Sequence, residues 1–402
     1  MRVCLISSNL HAVPSPSYGA VEFQMMAHAT GLAEAGLDVH VITVADGDAP
    51  EGASGVTFHR IGEAFETGAA RSVRSLLASQ VRFGTRARRL IEELQPDVAH
   101  WHARYPCLIG LRGSKPPWGT IYHAHNWKAA EDMRYPAWST RRLAATVGAA
   151  IDRRIARRCD LVLAVSEFLR GKIVESAGVG DERVRAVTNV VDAERFRPRP
   201  DLHPRAGRIL FVGRVAAEKG LLTLIEAMPT VLVRVPEAQL AIVGPHRDGT
   251  ERGGYRTRCE ELVAKLGLSE RVRFEGPVPN DELPERLAES RLLAVPSVWG
   301  EPCGVVVLEG LACGIPVLGS RVGGIPELIR DGVTGQLCEP GDPDSWAKAL
   351  TRALRDDGLR ESSRIHGPES IAAAHTWPRV RERLLDAYAV VASSAKARRK
   401  RS

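Results

Sequence analysis

The feature that most limits how this chain can fold is a repeated alternation of short apolar runs and helical segments. Residues 3–8 form an apolar run of strand type, and residues 21–35 follow with the pattern of a helix that ends at Gly36. Residues 39–44 are again a short apolar run. A strand, a helix and a second strand in this order predict a parallel sheet with helices on its faces.

The same alternation continues through most of the chain. Further strands are predicted where short apolar runs recur, at residues 97–100, 120–123, 161–166, 208–212, 239–243, 272–275, 292–296 and 315–318. The alternation is interrupted by the proline-rich stretch RFRPRPDLHPRAG, which has no hydrophobic period and is typical of a linker. The sequence therefore predicts an α/β protein with two Rossmann-like domains.

We divide the chain into an N-terminal Rossmann-like domain, a linker, a C-terminal Rossmann-like domain, and a final helix with a basic tail. Their expected bounds are 1–190, 191–206, 207–375 and 376–402. In such sheets ligands bind beyond the carboxyl ends of the strands, and two facing sheets would form a cleft. The last helix, from about Trp377 to Ala395, has two options: it packs on the C-terminal domain or crosses back to the N-terminal one.

Charge and cysteine usage argue against several functional classes. The net charge of +7 is spread along the chain, and only the terminal KARRKRS is a dense basic block. We interpret this block as a solvated, frayed tail, with contact to anionic lipid as the alternative. No stripe of basic and aromatic residues favours nucleic acid.

The seven cysteines are odd in number and show no metal-ligand spacing, a pattern typical of small buried residues and not of a disulfide framework. The N-terminus is too short and too polar beyond Leu10 for a signal peptide. No apolar run approaches the roughly 18 residues that a membrane span needs. We therefore expect a cytoplasmic protein.

The first motif with chemical meaning is VGRVAAEKG. Gly213 follows a predicted strand, Arg214 comes next, and Lys219 with Gly220 opens a helix. Glycine allows close approach of the backbone, and a helix N-terminus attracts an anion. Arg214 adds a planar guanidinium and Lys219 a mobile ammonium. Together with the glycine loop and the helix N-terminus, they favour binding of a diphosphate. The alternative is a surface loop with ordinary charges.

The second motif is VWGEPCGVVVLEGLACGIPV, which places Glu301 and Glu309 eight positions apart. Gly304 and Val305 would present backbone N–H groups at the start of a helix, again towards phosphate. Glu309 would lie inside that helix, where its carboxylate suits two ribose hydroxyls, and Glu301 would face the cleft. The alternative, that both are surface glutamates, is disfavoured by the neighbouring glycines and proline.

These segments closely resemble the retaining glycosyltransferases of family 4, which have the GT-B fold and use a nucleotide-sugar donor. The matching pieces of the C-terminal half are GRVAAEKG, FEGPVPNDEL, VPSVWGEPCGVVVLEGLACGIPV and VGGIPELIRDGVTGQL, and the linker NVVDAERFRP also fits. Weaker matches in the N-terminal half are SYGAVEFQ, PDVAHWH, YHAHN and LVLAVSEF. The resemblance covers nearly the whole chain and is most specific in the C-terminal half.

The resemblance implies which residues bind the donor. Arg214 and Lys219 would bind the diphosphate, Glu309 the ribose, and Glu301 the donor sugar near the reacting centre. The implied catalytic set consists of Arg214, Lys219, Glu301 and His123. The other implied donor-binding positions are Gly19 in a loop near the phosphates, Gly276 and Val278 beside the nucleobase, and Gly213, Cys303, Gly304 and Val305.

The N-terminal half is expected to bind the acceptor, since His123 matches a histidine that borders the sugar and the acceptor in the family. The candidate acceptor residues are His100, His102, His123, Asn126, Trp127 and Glu131. Tryptophan faces suit sugar rings, and Glu131 with Asp132 would favour a cationic or hydroxyl-rich acceptor. The alternatives are strand-end hydrogen bonding for His100 and His102 and a solvated helix face for the two acids.

Three features depart from the family pattern. The usual Gly-Gly is Gly19-Ala20 here, which makes the first loop stiffer. The position after Pro302 is commonly aromatic but is Cys303, which we interpret as a packed small residue in preference to a catalytic thiol. Residues 245–258 are longer and more basic than a tight turn requires.

Retention of configuration is implied by the family alone. The departing diphosphate oxygen would help to take the acceptor proton, while the two cations and helix amides stabilise its charge. Because no Asp-x-Asp motif occurs in a suitable loop, we expect no metal and no cofactor beside a donor of UDP or GDP type.

The acceptor is the least determined part of this hypothesis. We expect a small polar acceptor of natural-product or thiol metabolism, with a lipid-linked or cell-envelope acceptor as the main alternative. A sugar-nucleotide isomerase or a phosphorylase of the same architecture, and a two-lobed binding protein without catalysis, are the other functional classes. Base, sugar, acceptor atom and oligomeric state stay open.

Overall fold

The computed structural model describes residues 1–14, 19–45, 53–65, 73–128, 140–245 and 254–400, without the side chains of 73 and 140–144. The chain divides into two compact units. The first comprises Met1–Val190 together with Trp377–Ser402, and the second comprises Val191–Thr376. By its contacts, the proline-rich stretch after Val191 belongs to the second unit.

The first unit is built on a seven-stranded parallel sheet. Its strands are β1 (Arg2–Ile6), β2 (Asp38–Ala45), β3 (Val56–Glu63), β4 (Val98–Trp101), β5 (Gly119–Ala124), β6 (Leu161–Ala164) and β7 (Val184–Ala186), and their order in the sheet is β3-β2-β1-β4-β5-β6-β7. The helices between them are α1 (Ala20–Glu34), α2 (Val73–Leu94), α3 (Arg104–Gly110), α4 (Thr140–Arg158) and α5 (Glu167–Ala177).

The second unit repeats this plan with six parallel strands. They are β8 (Arg208–Val212), β9 (Gln239–Val243), β10 (Val272–Gly276), β11 (Leu292–Val295), β12 (Val317–Ser320) and β13 (Gly335–Cys338), ordered β10-β9-β8-β11-β12-β13. Its helices are α6 (Leu221–Arg234), α7 (Tyr255–Lys265), α8 (Leu283–Ala288), α9 (Val305–Ala312), α10 (Ile325–Leu328), α11 (Pro343–Arg355) and α12 (Asp357–Ala374).

Both units therefore have the strand order of a Rossmann fold, as the alternating sequence pattern predicts. The inner strands are buried along nearly their whole length, which is expected where helices cover both faces of a parallel sheet. In both sheets the order of connection reverses beside the first strand of the unit, between β1 and β4 and between β8 and β11. Ligands of such folds bind at this reversal, beyond the carboxyl ends of the strands.

The final helix, α13 (Trp377–Arg399), belongs to the first unit. Its apolar face, which includes Leu384 and Tyr388, is fully buried in the core of that unit. Its last turn is also held, because Arg398 pairs with Asp160 at 2.9 Å and Arg399 donates to the carbonyl of Pro117. The expectation of a frayed tail is therefore wrong for these two arginines.

Several elements differ from the sequence prediction. The strands β3, β7 and β13 were not predicted, and all three lie at the edge of a sheet. An edge strand is covered less completely than an inner one, and β3 alternates between half-buried and exposed positions, so its apolar run is weak. The strand predicted at 315–318 begins two residues later, at Val317. No described helix combines the length and the apolar character needed to cross a membrane.

Candidate functional site

The clearest candidate site of the second unit lies at the reversal between β8 and β11. The VGRVAAEKG motif begins in the last residue of β8, and the stretch that contains Glu301 follows β11. The Nζ atom of Lys219 lies 2.5 Å from Oε2 of Glu301, so an ion pair joins the two motifs across 82 positions of sequence. The structure thus brings together two of the residues that the sequence assigns to donor binding.

Glu301 is held by three donors on one oxygen. Beside Lys219, the indole N–H of Trp299 donates to Oε2 at 3.0 Å and the hydroxyl of Ser297 at 3.4 Å. Within the described part of the chain, Oε1 receives no hydrogen bond from a side chain or the backbone. The carboxylate is therefore fixed in orientation and keeps one acceptor oxygen for a ligand. Sequence reasoning missed Trp299 and Ser297, although Trp299 lies in the second motif and Ser297 directly precedes it.

Two glycines allow the chain to approach itself closely around this ion pair. Gly220 has φ +69°, and a Cβ atom there would lie 1.9 Å from the carbonyl oxygen of Pro296. Gly323 has φ +61°, and its Cβ would lie 2.2 Å from the carbonyl oxygen of Glu301. A side chain at either position would displace the backbone that carries Lys219 or Glu301. Gly220 of the first motif and Gly323, which follows the second motif, are thus required by geometry as well as by backbone conformation.

Gly213 and Arg214 form the more open side of this site. Gly213 adopts φ +153° directly after β8, and its N–H donates to the carbonyl of Val243 at the end of β9. The Arg214 side chain is 55% exposed and pairs with Glu218 at 2.9 Å, four positions along the chain. An exposed pair of this kind contributes little to stability, so the guanidinium can exchange its partner for an anion at low cost.

Glu309 lies within α9 and is 4% exposed, while Glu301 is 9% exposed. The alternative that both are surface glutamates is therefore wrong. Gly304 directly precedes α9 and Val305 is its first residue, as the motif predicts. Cys303 is buried just before them, in agreement with a packed small residue. All seven cysteines of the chain are buried and none forms a disulfide.

The positions assigned to the nucleobase lie at the neighbouring strand end. Gly276 is the last residue of β10, with φ +74° and no atom within 4 Å of where a Cβ would stand. Its carbonyl accepts from the N–H of Gly244, which ties the ends of β9 and β10 together. Val278 follows in a half-buried loop. These residues lie at the same carboxyl edge of the sheet as Gly213.

Gly19, the donor-side position of the first unit, directly precedes α1. A Cβ at Gly19 would lie 2.1 Å from Oε2 of Glu22, so the Glu22 carboxylate folds back over the start of the helix. Burial raises the pKa of Glu22, and its own backbone N–H opposes this effect. The N-terminus of α1, which attracts anions, is therefore occupied by a carboxylate of its own first turn.

The histidines assigned to the acceptor side form one buried cluster. His100 lies in β4, His102 directly follows β4, and His123 is the penultimate residue of β5. Two histidines that sequence reasoning did not single out join them, His28 from α1 and His125 from the loop after β5. Neighbouring ring centroids lie 4.3–5.8 Å apart for most of these contacts.

The pKa values of all five rings are lowered, with burial as the main cause. Burial lowers the pKa of His28 to about 3 and that of His125 to about 4. The pKa values of His100, His102 and His123 lie well below the ordinary value, because charge on neighbouring rings adds to burial. The cluster is therefore neutral at pH 7.

The structure gives a different result for each of the other residues predicted on the acceptor side. Trp127 is 1% exposed and its indole N–H donates to Ser176 at 2.7 Å, so it offers no ring face to a sugar, and the stacking interpretation is wrong. His100 is buried with Nδ1 2.8 Å from the hydroxyl of Tyr388, which agrees with the structural alternative. Asn126 is exposed, and its side-chain oxygen accepts from Arg104 at 2.8 Å. Glu131 and Asp132 lie outside the described residues, as does most of 245–258.

Comparison with known proteins identifies the class to which this fold and site belong. Residues 21–195 match the family model described as Glycosyltransferase Family 4, and residues 192–369 match the model described as Glycosyl transferases group 1. Together the two matches span residues 21–369, which leaves β1 and α13 of the first unit outside them. A family model of glycosyltransferases therefore matches each of the two units.

Individual relatives agree with the family models. The D-inositol 3-phosphate glycosyltransferase of Corynebacterium jeikeium is 31% identical over 74% of this chain and 73% of that protein. The protein of the same name from Salinispora tropica is 30% identical over 73% of this chain, and the match spans 63% of that relative's length. The chain belongs to glycosyltransferase family 4.

Solved structures show the same fold at lower sequence identity. Sucrose-phosphate synthase from Thermosynechococcus elongatus superposes with a TM-score of 0.81 at 22% identity, covering 98% of this chain and 99% of that one. HepE from Anabaena, solved in complex with UDP, has a TM-score of 0.74 at 19% identity over 97% of this chain and 100% of that one. Both units therefore have the domain folds of GT-B proteins.

Proposed function

We propose that this protein transfers a sugar from a nucleoside diphosphate sugar to a hydroxyl of a small polar acceptor. The observation that carries the proposal is the Lys219–Glu301 pair at the strand reversal of the second unit. A cation that can bind a diphosphate lies there beside a carboxylate whose Oε1 accepts no hydrogen bond from the described residues and can accept one from a sugar hydroxyl. Membership of family 4 and the UDP complex of HepE support a nucleotide-sugar donor.

Each donor-side residue has a role that follows from its position. Lys219 would shift from Glu301 towards the diphosphate, and Arg214 would exchange Glu218 for a phosphate oxygen. Backbone amides at Gly304 and Val305, at the start of α9, would add hydrogen bonds to the same anion. Glu309, inside α9, would accept from the ribose hydroxyls. The backbone around Gly276 and Val278 would lie beside the base.

In the proposed reaction the bond between the anomeric carbon and the diphosphate oxygen breaks, and a bond from the acceptor oxygen to that carbon forms. The acceptor proton passes to the departing diphosphate oxygen, on the same face of the sugar, so that configuration is retained. The developing charge on the diphosphate is stabilised by Lys219 and Arg214. Pre-organised groups of this type contribute on the order of 3 kcal/mol each, about a hundredfold in rate.

Glu301 would orient the donor sugar rather than take the proton. Its Oε2 already accepts from Lys219, Trp299 and Ser297, which leaves Oε1 to accept from a sugar hydroxyl. This arrangement suits a fixed hydrogen-bond acceptor, because Trp299 and Ser297 still hold the carboxylate after Lys219 has turned to the diphosphate.

The donor site is tested by measuring nucleotide binding to the wild-type chain and to Lys219→Met and Arg214→Ala. Titration calorimetry with UDP, GDP, ADP and TDP should give one preferred base, with UDP or GDP expected. Loss of one charge-assisted contact costs about 1.5–3 kcal/mol, which is roughly 10- to 150-fold in affinity. The matched control is Arg352→Ala, since the exposed Arg352 also pairs with an acidic residue four positions along the chain but lies in α11, outside the two motifs.

Equal affinity in the wild type and both site variants would contradict the diphosphate site. A loss of affinity that appears equally in Arg352→Ala would also contradict it, because general electrostatics would then explain the effect.

The acceptor is tested once the donor is known. The relatives named D-inositol 3-phosphate glycosyltransferase support a cyclic polyol phosphate as the small polar acceptor. Transfer to D-inositol 3-phosphate, detected as a new glycoside by mass spectrometry, is the expected result. Transfer only to a lipid-linked acceptor would overturn the small-acceptor proposal. Conversion of the sugar nucleotide into an isomer without any acceptor would overturn the transferase itself.

A further inference from the structure

The histidine cluster of the first unit contains several polar atoms that the fold leaves without partners. Among the residues that the structure describes, no hydrogen bond of normal geometry reaches either ring nitrogen of His28 or His123, or Nε2 of His102, although all three residues are buried. A buried polar atom without a partner costs about 1–3 kcal/mol. Five such nitrogens in one cluster therefore lower the stability of the folded state considerably, unless a shared ligand binds them.

The backbone explains why these rings meet. In the pairing of β4 with β5, His100 stands opposite Ile121 and Trp101 opposite Tyr122. Side chains alternate between the faces of a strand, so the His-x-His sequences at 100–102 and 123–125 direct their rings to one face of the sheet. Helix α1 covers that face and adds His28.

The geometry of three of these rings is that of a possible ligand set. One nitrogen from each of His28, His102 and His123 lies within 4.8 Å of the other two. Nitrogens bound to one tetrahedral zinc at 2.0–2.1 Å lie about 3.3 Å apart, so the three need to close by at most about 1.5 Å. Rotation of the imidazole rings would have to supply this change.

A neighbouring ring selects the tautomer that metal binding requires. Nδ1 of His102 lies 3.0 Å from Nε2 of His125. If Nδ1 carries the proton and donates to His125, then Nε2 of His102 presents its lone pair to the cluster. Metal-bound histidines usually donate their second ring N–H to an outer partner in this way.

We propose that His28, His102 and His123 form a binding site for a divalent transition metal, with zinc as the best match to three imidazole ligands. Such a set leaves a fourth position that takes water or a hydroxyl group. The ion would satisfy one orphaned nitrogen on each ring. The proposal departs from our expectation of a metal-free protein, and it does not depend on the donor site of the second unit.

The site is tested by metal binding to the purified chain without a polyhistidine tag. After treatment with EDTA and transfer to metal-free buffer, the protein is titrated with Zn²⁺ against a chromophoric chelator and with Co²⁺ by visible absorption. We expect one equivalent of metal per chain and an intense, tetrahedral type of Co²⁺ spectrum. His28→Leu should weaken Zn²⁺ binding by more than about 100-fold, beyond the 10- to 100-fold that loss of an outer partner causes.

Two further variants make the result specific. His366→Gln removes an exposed histidine of the second unit and should bind Zn²⁺ like the wild type. His125→Phe removes the outer partner of His102 and should weaken binding by roughly 10- to 100-fold. Leucine fits an apolar surrounding, and circular dichroism at neutral pH checks that His28→Leu is folded. The proposal is overturned if the wild type takes up no Zn²⁺, or if His28→Leu binds it as tightly as His366→Gln does.

Discussion

Two glycines control the geometry of the candidate donor site because they have no side chain. Gly220 and Gly323 have no side chain where they pass the chain beside Pro296 and Glu301, and any Cβ there would meet a backbone atom within 2.2 Å. The ion pair between Lys219 and Glu301 depends on this close approach, because both residues lie next to a compact turn. Glycine is therefore required here by the neighbouring chain, in addition to its tolerance of positive φ.

Gly220→Ala tests this steric requirement. The new Cβ would meet the carbonyl oxygen of Pro296, so either the turn at Lys219 or the loop after β11 has to move. The matched control is Gly332→Ala, since Gly332 has φ +77° with no atom within 4 Å of a Cβ. The control carries only the cost of positive φ, about 1 kcal/mol, while Gly220→Ala should lose about 1–3 kcal/mol more. The urea midpoint of the second unit measures the difference, and equal midpoints would contradict the steric argument.

At the scale of elements, α13 is the least obvious part of the first unit. It follows the second unit in sequence but supplies a full apolar face to the core of the first. Its tyrosine, Tyr388, also reaches His100 at the edge of the histidine cluster. The helix therefore connects the C-terminal end of the chain to the stability and the polar chemistry of the first unit.

Two substitutions on α13 measure how much its buried face contributes to the stability of the first unit. Leu384 is fully buried, whereas Val390 on the same helix is 43% exposed. Leu384→Ala should destabilise the first unit by about 2–5 kcal/mol through lost contacts and a cavity. Val390→Ala should stay within about 0.5 kcal/mol of the wild type. Thermal unfolding of both variants checks this, and a similar small effect of both would mean that α13 does not contribute to the core.

At the scale of the whole molecule, the buried histidines couple stability to pH. Their pKa values in the folded chain are lowered, to about 3 for His28 and about 4 for His125, while an unfolded histidine has a pKa near 6.5. The unfolded chain therefore binds more protons as the pH falls below about 6.5. The contribution of these rings to stability is fully present above that pH and is lost as the pH decreases towards the folded values.

We expect the first unit to lose stability steeply between pH 7 and pH 5. Each histidine that stays neutral in the folded state costs about 2 kcal/mol at pH 5, and five of them approach the whole stability of a typical domain. The acids with lowered pKa values, Asp38 and Asp160, act only at lower pH. Thermal unfolding in EDTA across this range measures the slope.

The variant His28→Leu should reduce that slope by about one proton, or about 1.4 kcal/mol per pH unit. His366→Gln serves as the control and should keep the wild-type slope. A flat profile of the wild type between pH 7 and pH 5 would show that the cluster is not neutral and buried in solution.

Local pattern was sufficient to predict much of the fold and part of the site. Short apolar runs between helical segments predict parallel strands, because only strands covered on both faces read as continuous apolar stretches. This argument identifies the inner strands and fails for β3, β7 and β13, which lie at sheet edges. The motifs also place Lys219, Glu301 and Glu309 among the site residues, because glycines and carboxylates in a buried segment are hard to explain otherwise.

Sequence by itself thus determined the two Rossmann-like units, the motifs after β8 and β11, and the histidines of β4 and β5, since each depends on residues close together in the chain. Only the tertiary structure decided three other points: that Lys219 pairs with Glu301, that α13 joins the first unit, and that His28 completes a cluster with His102 and His123. The physical reason is the same in all three cases. Each contact joins segments far apart in sequence, and the register of distant elements is set by the packing of the whole core and leaves no local pattern.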